Sequence, residues 1–269
     1  MKMYKYEATG NDFILLKEAP PNPSALAKKV CHRHFGIGAD GLMYPSFKDG
    51  ELWMHYFNSD GTMAPMCGNG MRCFVKFLAD QSLVNDPSFI VKTLGGAIQV
   101  YTQPQIALEI NDVILDHTTP DVITPTTYTT PHTFTINNHP FDVYIISVGT
   151  LHGIVFIKDV QSFDFESIGF QLSTHPFFPR DININFVHVI NDSTLNVKTF
   201  ERGAGATLSC GTGVLASAFV AREIHHTNSN VQVEVPGGHL SVNVTPKLTL
   251  KGPANFIATI EYLGDGTDG

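Results

Sequence analysis

The sequence is poor in charged residues and has no excess of basic ones. Asp, Glu, Lys and Arg make up 16% of the 269 residues, and 17 Lys and Arg stand against 25 Asp and Glu, for a net charge of -8. An average soluble protein has about 25% charged residues. An acidic chain with a pI near 5.8 is a poor match for phosphate backbones or anionic membrane surfaces. We therefore expect neither a nucleic-acid nor a membrane partner.

Long apolar runs and paired cysteine motifs are also missing. No run approaches the roughly 18 residues of a membrane span, and the first residues, MKMYKYEATGNDF, lack the apolar stretch of a signal peptide. The four cysteines form no CxxC pair, and the 12 histidines form no HExxH motif. We therefore expect reduced thiols, a cytoplasmic location and no zinc site.

A repeat around two cysteines dominates what the sequence does contain. Phe57 lies ten residues before Cys67, and Phe200 lies ten residues before Cys210. Each cysteine opens a CGxG motif and is followed by an apolar run without glycine or proline, which predicts a helix beginning at the cysteine. Farther on, VKTLGGAIQV and VEVPGGHLSV each predict a strand, a Gly-Gly turn and a strand.

The repeat divides the 43% hydrophobic chain into two similar halves. We predict an α/β (α+β) fold with two pseudo-symmetric domains, residues 1–117 and 118–269, each a curved, mostly antiparallel sheet around a central helix. The segment 117–133 is rich in Thr and Pro and is the predicted linker. The last predicted strand, 255–263, can pair within either domain.

Cys67 and Cys210 differ from the other two cysteines in their surroundings. Packing alone explains Cys31 and Cys73. A thiol at a helix start, by contrast, lies near unpaired N–H groups and the positive end of the helix dipole, which favour thiolate. The same N–H groups form an anion site that the neighbouring glycines leave open to a ligand carboxylate.

Two such cysteines facing one cleft between the domains suggest a reaction. If both helix starts hold the α-carboxylate of an amino acid, one thiolate can remove the α-proton while the opposite thiol protonates the other face. Fixed N–H donors would stabilise the enediolate-like intermediate, so no cofactor is needed. The predicted function is a cofactor-independent amino-acid racemase or epimerase whose partner is a free amino acid.

Other interpretations of the cysteine pair stay open. The two thiols can form a redox disulfide, or the site can be a non-catalytic or redox-sensing module that binds small carboxylates. A phosphate cradle fits poorly, because CGNG and CGTG lack the GKS or GKT of a P-loop. A further alternative is a proline-racemase-type enzyme, which would use two thiols as acid and base in the same way. The sequence also leaves a homodimer open.

The motifs, taken in order, resemble the diaminopimelate epimerase family, whose members do not use pyridoxal phosphate. The matching segments are ATGNDF, FGIGADGLM, FNSDG, MCGNGMRCF, FERGAGATLSCGTG and the late PGG turn. The resemblance covers nearly the whole chain and implies that Cys67 and Cys210 are the acid/base pair. It also implies diaminopimelate as the substrate, converted from the LL to the meso isomer, and a role in lysine biosynthesis.

The same resemblance implies the residues that bind substrate. The α-carboxylate would be held by backbone of the two CGxG turns, and the far end of the substrate by polar side chains of both halves. Asn11 and His152 also match pocket positions. The implied substrate-binding residues are Asn11, Asn58, Gly68, Asn69, Thr150, His152, Asn183, Glu201, Arg202, Gly211 and Thr212.

The sequence departs from the family where the far end of the substrate would bind. The family usually has GNPH where this chain reads Gly149, Thr150, Leu151, His152, and Gly41 replaces the Gln of GADQ. Thr150 offers one hydroxyl in place of an amide. Diaminopimelate is therefore the expected substrate, and a single-ended amino acid, in particular histidine, is the alternative.

Overall fold

The computed structural model describes residues 1–110, 113–114, 116–117, 122, 124, 126–159 and 163–264. In chain order the strands and helices are β1 Lys2–Ala8, β2 Asn11–Leu15, α1 Pro23–Val30, β3 Gly41–Lys48, β4 Glu51–Asn58, α2 Gly68–Asp80, β5 Ser88–Thr93, β6 Gly96–Tyr101, β7 Ala107–Ile110, β8 Val113–Ile114, β9 Asp116–His117, β10 Thr126–Thr127, β11 His132–Ile136, β12 His139–Val148, β13 Leu151–Phe156, α3 Phe165–Ser173, β14 Asn183–Asn191, β15 Thr194–Glu201, β16 Gly205–Thr207, α4 Gly211–His225, β17 Asn230–Val235, β18 Gly238–Asn243, β19 Leu248–Lys251 and β20 Asn255–Glu261.

The chain forms two compact units. Unit 1 consists of Met1–Leu108 and Gly252–Gly269, and unit 2 consists of Glu109–Lys251. The predicted boundary at 117 and 118 lies farther along the chain than the end of the first segment of unit 1, and residues 118–121 are outside the described residues. The predicted linker, 117–133, lies partly outside them as well. Its described part contains β10 and the start of β11, in keeping with the preference of threonine for strands.

Unit 1 is built around a sheet whose strands lie in the order β20-β1-β2-β3-β4-β5-β6. From β1 onward the neighbouring pairs alternate: β1–β2 antiparallel, β2–β3 parallel, β3–β4 antiparallel, β4–β5 parallel and β5–β6 antiparallel. Each parallel pair is joined by a helix, α1 for the first and α2 for the second. The last strand, β20, pairs antiparallel with β1 and so returns the chain to unit 1.

Unit 2 repeats this alternation in its own sheet. The pairs β12–β13, β14–β15 and β17–β18 are antiparallel, whereas β13–β14 and β15–β17 are parallel. The helices α3 and α4 make the crossovers of the two parallel pairs. The repeat that the sequence shows around the cysteines therefore extends to strand pairing, and the predicted α/β class is confirmed.

The helix after each cysteine is the most buried helix of its unit. In α2 a continuous stretch from Asn69 to Val75 is buried, and the helix contacts β1, β2 and β20. In α4, Val214–Ala218 is buried. The helix contacts strands along the unit 2 sheet, namely β12, β13, β14, β15, β17, β18 and β19. Both helices begin where the sequence predicts, with Cys67 and Cys210 as N-caps. Within the described ranges, no helix is long and apolar enough to span a membrane.

Candidate active site

Cys67 lies at the first turn of α2 in unit 1. Its backbone is extended, its carbonyl oxygen accepts the first helical hydrogen bond from Met71 N at 2.7 Å, and its Sγ accepts a hydrogen bond from Gly70 N at 3.4 Å. A sulfur atom that accepts from the first turn of a helix lies at the positive end of the helix dipole. This position stabilises the thiolate form of Cys67.

Asn11 contacts Cys67 through an amide whose orientation is fixed. Its Nδ2 donates to Asp40 Oδ2, and its Oδ1 lies 3.5 Å from Cys67 Sγ. An ionised carboxylate only accepts hydrogen bonds, so Asp40 holds the amide nitrogen and leaves the oxygen on the sulfur side. Arg33 in turn bridges Asp40 and Asp12, at 2.7 Å and 2.8 Å.

Asn58 ends β4, and hydrogen bonds link this strand end to Asp40. The Nδ2 of Asn58 donates to Thr62 Oγ1 at 3.0 Å, and Ser59 N donates to the carbonyl oxygen of Asp40 at 3.1 Å. Asn11 thus contacts Asp40 directly, and Cys67 contacts Asn11. Asn58 directly precedes Ser59, whose backbone contacts Asp40.

The side chain of Asn69 points into unit 1. It is 2% exposed, and its Oδ1 lies 3.5 Å from Thr9 Oγ1, which accepts a hydrogen bond from Arg72 at 3.0 Å. The Asn69 side chain therefore packs within unit 1, and binding of a substrate carboxylate by its backbone stays a prediction.

Cys210 occupies the corresponding position in unit 2, at the start of α4. Its carbonyl oxygen accepts from Val214 N at 2.9 Å, and its Sγ lies 3.5 Å from Thr212 Oγ1. Glu201 lies beside it and accepts a hydrogen bond from Thr207 Oγ1 at 2.6 Å. Burial raises the pKa of Glu201, and hydrogen bonds from Thr207 and Cys210 oppose that rise. The second thiol thus has a carboxyl group as a neighbour.

His152 is fully buried in unit 2 and lies between two threonines and an asparagine. Its Nε2 is 3.0 Å from the Oγ1 atoms of both Thr150 and Thr212, and its Nδ1 is 3.0 Å from Asn185 Nδ2. Burial lowers the pKa of His152 to about 3, and the positive charge of Arg202 acts in the same direction. The imidazole is therefore neutral at physiological pH.

Asn183 and Arg202 are connected to His152 through strand pairing and a backbone hydrogen bond. Asn183 pairs with His152 in the parallel register of β13 and β14, and its Oδ1 accepts from Arg202 N at 3.0 Å. The Arg202 side chain is exposed and donates to the carbonyl oxygen of Arg180 at 3.2 Å. The unit 2 residues that the resemblance implies lie together: Thr150, His152, Asn183, Glu201, Arg202, Cys210, Gly211 and Thr212.

Gly70 and Gly213 have a packing role at the start of each helix. A Cβ on Gly70 would lie 2.2 Å from Met43 Cε, and one on Gly213 would lie 2.2 Å from Asn185 Oδ1. These glycines are required because the start of each helix packs closely against a strand. A Cβ at either position would point toward the interior of its unit. The close approach of a ligand carboxylate to the backbone at these glycines stays a prediction.

Sequence reasoning missed Asp40, Arg72 and Asn185. Asp40 lies in the quoted GADG segment and Arg72 in CGNGMRC, but neither motif indicates that the side chain turns toward the cysteine loop. Asn185 had a usable signal. It lies two residues after Asn183, with Ile184 between them and Phe186 and Val187 after it, so both amides belong to one face of the strand.

Leu151 belongs to the core of unit 2. It packs against the cluster that contains Val143, Ile184 and Phe186, whereas the neighbouring Thr150 turns toward His152 and Thr212. Of the two departures from the family motif, only Thr150 is therefore placed among the site residues. Among the described residues, no group of three or more His, Cys, Asp or Glu side chains is arranged to hold a metal ion.

A family model described as Diaminopimelate epimerase matches residues 3–112 and 144–257, and each range contains one CGxG turn. The chain belongs to the diaminopimelate epimerase family. The resemblance drawn from the motifs is thereby confirmed. The chain is 37% identical over 276 residues to the diaminopimelate epimerase of Alkaliphilus metalliredigens (strain QYMF), covering 98% of both chains. It is 34% identical to that of Desulfitobacterium hafniense (strain DSM 10664 / DCB-2), covering 96% of both.

Solved structures of other epimerases have the same fold as this diaminopimelate epimerase family member. A hydroxyproline epimerase from Agrobacterium vitis, determined with bound trans-4-hydroxy-L-proline, matches 97% of this chain and 91% of its own with a TM-score of 0.68. The sequence identity is 11%, so the likeness concerns the fold. It supports the predicted two-domain architecture.

Proposed function

We propose that the protein is a cofactor-independent diaminopimelate epimerase that interconverts the LL and meso isomers. The observation that carries the proposal is the matched placement of Cys67 and Cys210, each the N-cap of a long buried helix in a chain of this family. A thiol in that position is activated without a metal or an organic cofactor.

The chemistry is an exchange of protons at one carbon. One cysteine thiolate takes the α-proton, so the C–H bond breaks, an S–H bond forms and the electron pair moves into the carboxylate. The thiol of the other cysteine then gives its proton to the opposite face, so its S–H bond breaks and a new C–H bond forms. The configuration inverts, and the two thiols have exchanged protonation states.

The backbone of the two CGxG turns stabilises the intermediate. The N–H groups of the first turn of a helix have no acceptor within that helix. The turns that begin at Gly68 and Asn69 in unit 1, and at Gly211 and Thr212 in unit 2, bind the α-carboxylate through such groups. As the α-proton leaves, negative charge grows on the carboxylate oxygens, and fixed donors stabilise it more than mobile water does.

Polar side chains bind the far end of the substrate. Asn58 in unit 1, and Asn183 and Glu201 in unit 2, provide amide and carboxyl groups for the distal ammonium and carboxylate. Arg202 keeps an exposed guanidinium, a group suited to binding a carboxylate through two hydrogen bonds. Asn11, held by Asp40 beside Cys67, contacts the reacting end.

A racemase for histidine is the alternative within the same chemistry. Thr150 replaces the family's usual Asn, and its hydroxyl is engaged with His152 and Thr212, so it is a weaker ligand for a distal carboxylate. A substrate without a distal carboxylate does not need that amide. Assaying LL-diaminopimelate and L-histidine side by side decides between the two substrates.

The enzyme acts on a free amino acid, and its proposed location is the cytoplasm. The reducing conditions of that compartment keep both catalytic thiols in the active form. A homodimer stays a prediction, to be checked by analytical ultracentrifugation.

The proposal is tested by replacing each cysteine separately with alanine. We expect Cys67→Ala and Cys210→Ala each to lower epimerisation of LL-diaminopimelate by at least about a thousandfold, because each variant lacks one of two proton carriers. Chiral chromatography measures the isomers, and mass spectrometry in heavy water measures solvent deuterium at the α-carbon.

Cys31→Ala is the matched control, because Cys31 is a buried thiol whose pKa burial raises to about 12. It should turn over LL-diaminopimelate at the wild-type rate if it folds. Full turnover in both single variants of the catalytic pair would contradict the two-thiol mechanism. Tight substrate binding without deuterium uptake in the wild-type protein would favour a non-catalytic binding module.

A further inference from the structure

Asn185 is a buried polar residue for which the proposed chemistry has no role yet. It lies in β14 with no exposed surface, and its amide makes three polar contacts. Thr199 Oγ1 donates to its Oδ1 at 2.9 Å, whereas its Nδ2 lies 3.3 Å from the carbonyl oxygen of Gly153 and 3.0 Å from His152 Nδ1.

The carbonyl of Gly153 fixes which way the amide faces. A carbonyl oxygen only accepts hydrogen bonds, so the amide atom next to it must be the NH2 group of Asn185. The same NH2 group faces His152 Nδ1. Because an amide NH2 only donates, Nδ1 must carry a lone pair and no proton.

The proton of neutral His152 is therefore on Nε2, the nitrogen nearest the cysteine loop. Nε2 lies 3.0 Å from Thr212 Oγ1 and 3.0 Å from Thr150 Oγ1, and both hydroxyls can accept. A hydroxyl that accepts from His152 keeps its own proton for another partner. For Thr212 the remaining partners are Thr150 Oγ1, at 3.4 Å, and Cys210 Sγ, at 3.5 Å. Thr150 has a hydroxyl proton of its own to donate, whereas a Cys210 thiolate can only accept.

We infer that Asn185 is a positioning residue that holds His152 as the neutral Nε2–H tautomer, so that the imidazole donates through Thr212 to Cys210. The chain of donors runs from Thr199 to Asn185, His152, Thr212 and the sulfur. Each hydrogen bond polarises the next one, which strengthens the last donor in the chain.

Donation from Nε2 toward Thr212 gives His152 a specific role. A donor at Nε2 stabilises the thiolate of Cys210 through the Thr212 hydroxyl, whereas a base at Nε2 would compete with that thiolate for the proton. His152 therefore assists Cys210 as a hydrogen-bond donor and does not act as the proton acceptor. The lowered pKa of the buried imidazole is consistent with a ring that stays neutral.

Gly213 is part of the same arrangement. Any side chain there would overlap Asn185 Oδ1, so glycine allows α4 to approach β14 closely enough for the donor chain to form. The register of β14 and β15 places Thr199 directly opposite Asn185. Backbone packing and strand pairing thus hold Asn185 from two sides.

The tautomer can be measured directly by NMR. The protein is labelled with [15N]histidine, and two-bond 1H–15N correlations show which ring nitrogen is protonated. His152→Gln identifies the signals of His152 by their disappearance. We expect a protonated Nε2 and a bare Nδ1 between about pH 5 and pH 8. A protonated Nδ1 or a doubly protonated ring in the wild-type protein would overturn the inference.

Asn185→Asp replaces the donor with an acceptor of the same shape. We expect the proton to move to Nδ1, so that Nε2 accepts from Thr212 and the hydroxyl no longer donates to the sulfur. The kcat for epimerisation should fall about ten- to a hundredfold, and KM should change less, because the lost hydrogen bond is made to the thiolate. An unchanged tautomer in Asn185→Asp would also overturn the inference.

Ser217→Ala is the control, because Ser217 is a fully buried residue of α4 whose hydroxyl donates to the Gly213 carbonyl oxygen at 2.7 Å. It should keep the wild-type tautomer and activity.

If Asn185→Asp does not fold, the NMR spectrum of the wild-type protein still shows which nitrogen of His152 is protonated. The effect on turnover rests on the proposed function, but the spectrum does not. Absent epimerase activity would refute the function alone, and turnover with an Nδ1–H ring would refute the inference alone.

Discussion

At the scale of single residues, the two helix starts differ in the charge that lies beside their cysteines. Arg72 lies five residues after Cys67, is 0% exposed, and donates to the carbonyl oxygens of Gly68 and Pro253 at 3.4 Å and 3.2 Å. The residue five positions after Cys210 is Leu215. A buried cation favours a nearby anion, so the charge of Arg72 supports a thiolate at Cys67.

We predict that Arg72→Leu lowers the fraction of Cys67 present as thiolate. Removing one nearby positive charge should slow alkylation of Cys67 by iodoacetamide at neutral pH by about tenfold. The rate is measured by mass spectrometry in the Cys210→Ala background. Lys76→Leu, which removes a partly exposed cation from the same helix, should leave the rate nearly unchanged. Equal rates for Arg72→Leu and its background would contradict the electrostatic role.

At the scale of elements, α4 ends at a residue whose backbone is costly for any side chain. The C-cap His226 is exposed and adopts the left-handed conformation, with φ of 55° and ψ of 36°. Helices commonly end on this conformation, but glycine normally provides it because a Cβ raises its energy. The end of α4 therefore has a backbone conformation that glycine adopts at a lower energy than histidine does.

We predict that His226→Gly stabilises the protein by about 0.5 to 1 kcal/mol, because glycine adopts the left-handed conformation without strain. Urea unfolding followed by circular dichroism measures the change. The adjacent substitution His225→Gly is the matched comparison. It places glycine inside the last helical turn and removes a ring contact with Phe156, so it should destabilise by about 1 kcal/mol or more. A destabilised His226→Gly would contradict the prediction.

At the scale of the whole molecule, each unit builds the same alternation of antiparallel and parallel pairs around one long buried helix. The repeated CGxG motifs and Gly-Gly hairpins therefore correspond to a repeated topology. Unit 1 is completed by β20, whose Glu261 pairs with Lys2. Both ends of the described chain are needed to close that sheet. Such distant pairing is a slow step in folding, because a long loop must close before the contact forms.

Stability should depend on pH through the buried imidazole of His152. Its pKa is lowered to about 3 by burial, from an ordinary value of 6.5, so the unfolded chain takes up a proton first as the pH falls. The contribution of neutral His152 to the free energy of unfolding is present in full above pH 6.5. It is lost as the pH drops from 6.5 to about 3. We predict a loss approaching about 1.4 kcal/mol per pH unit within that window.

Urea unfolding at a series of pH values tests this dependence. His152→Gln has no titrating group at this position, so its unfolding free energy should fall less steeply below pH 6.5 than that of the wild-type protein. His34→Gln, at an exposed position, should keep the wild-type slope. Identical slopes for wild type and His152→Gln would show that the buried ring does not control acid stability.

The two helix starts and the hairpins were predictable because their signals are local in sequence. The helix starts at Cys67 and Cys210 follow from a glycine-containing motif and an apolar run, and the Gly-Gly hairpins follow from turn residues between alternating strands. The order of the motifs also identified the family. The boundary at residues 117 and 118 stays a prediction, since a segment rich in Thr and Pro is compatible with both linkers and short strands.

The repeat, the two cysteine-capped helices and the family follow from the amino-acid sequence alone, since every motif on which they depend lies within one turn, strand or helix. The burial of Arg72, the pairing of β20 with β1 and the contact of Asn185 with His152 depend on the folded chain. The Asn185 contact joins residues 33 apart in sequence, and the contact of Arg72 with Pro253 joins residues 181 apart. Contacts of this kind are set by how strands pair and helices pack, and no local pattern encodes them.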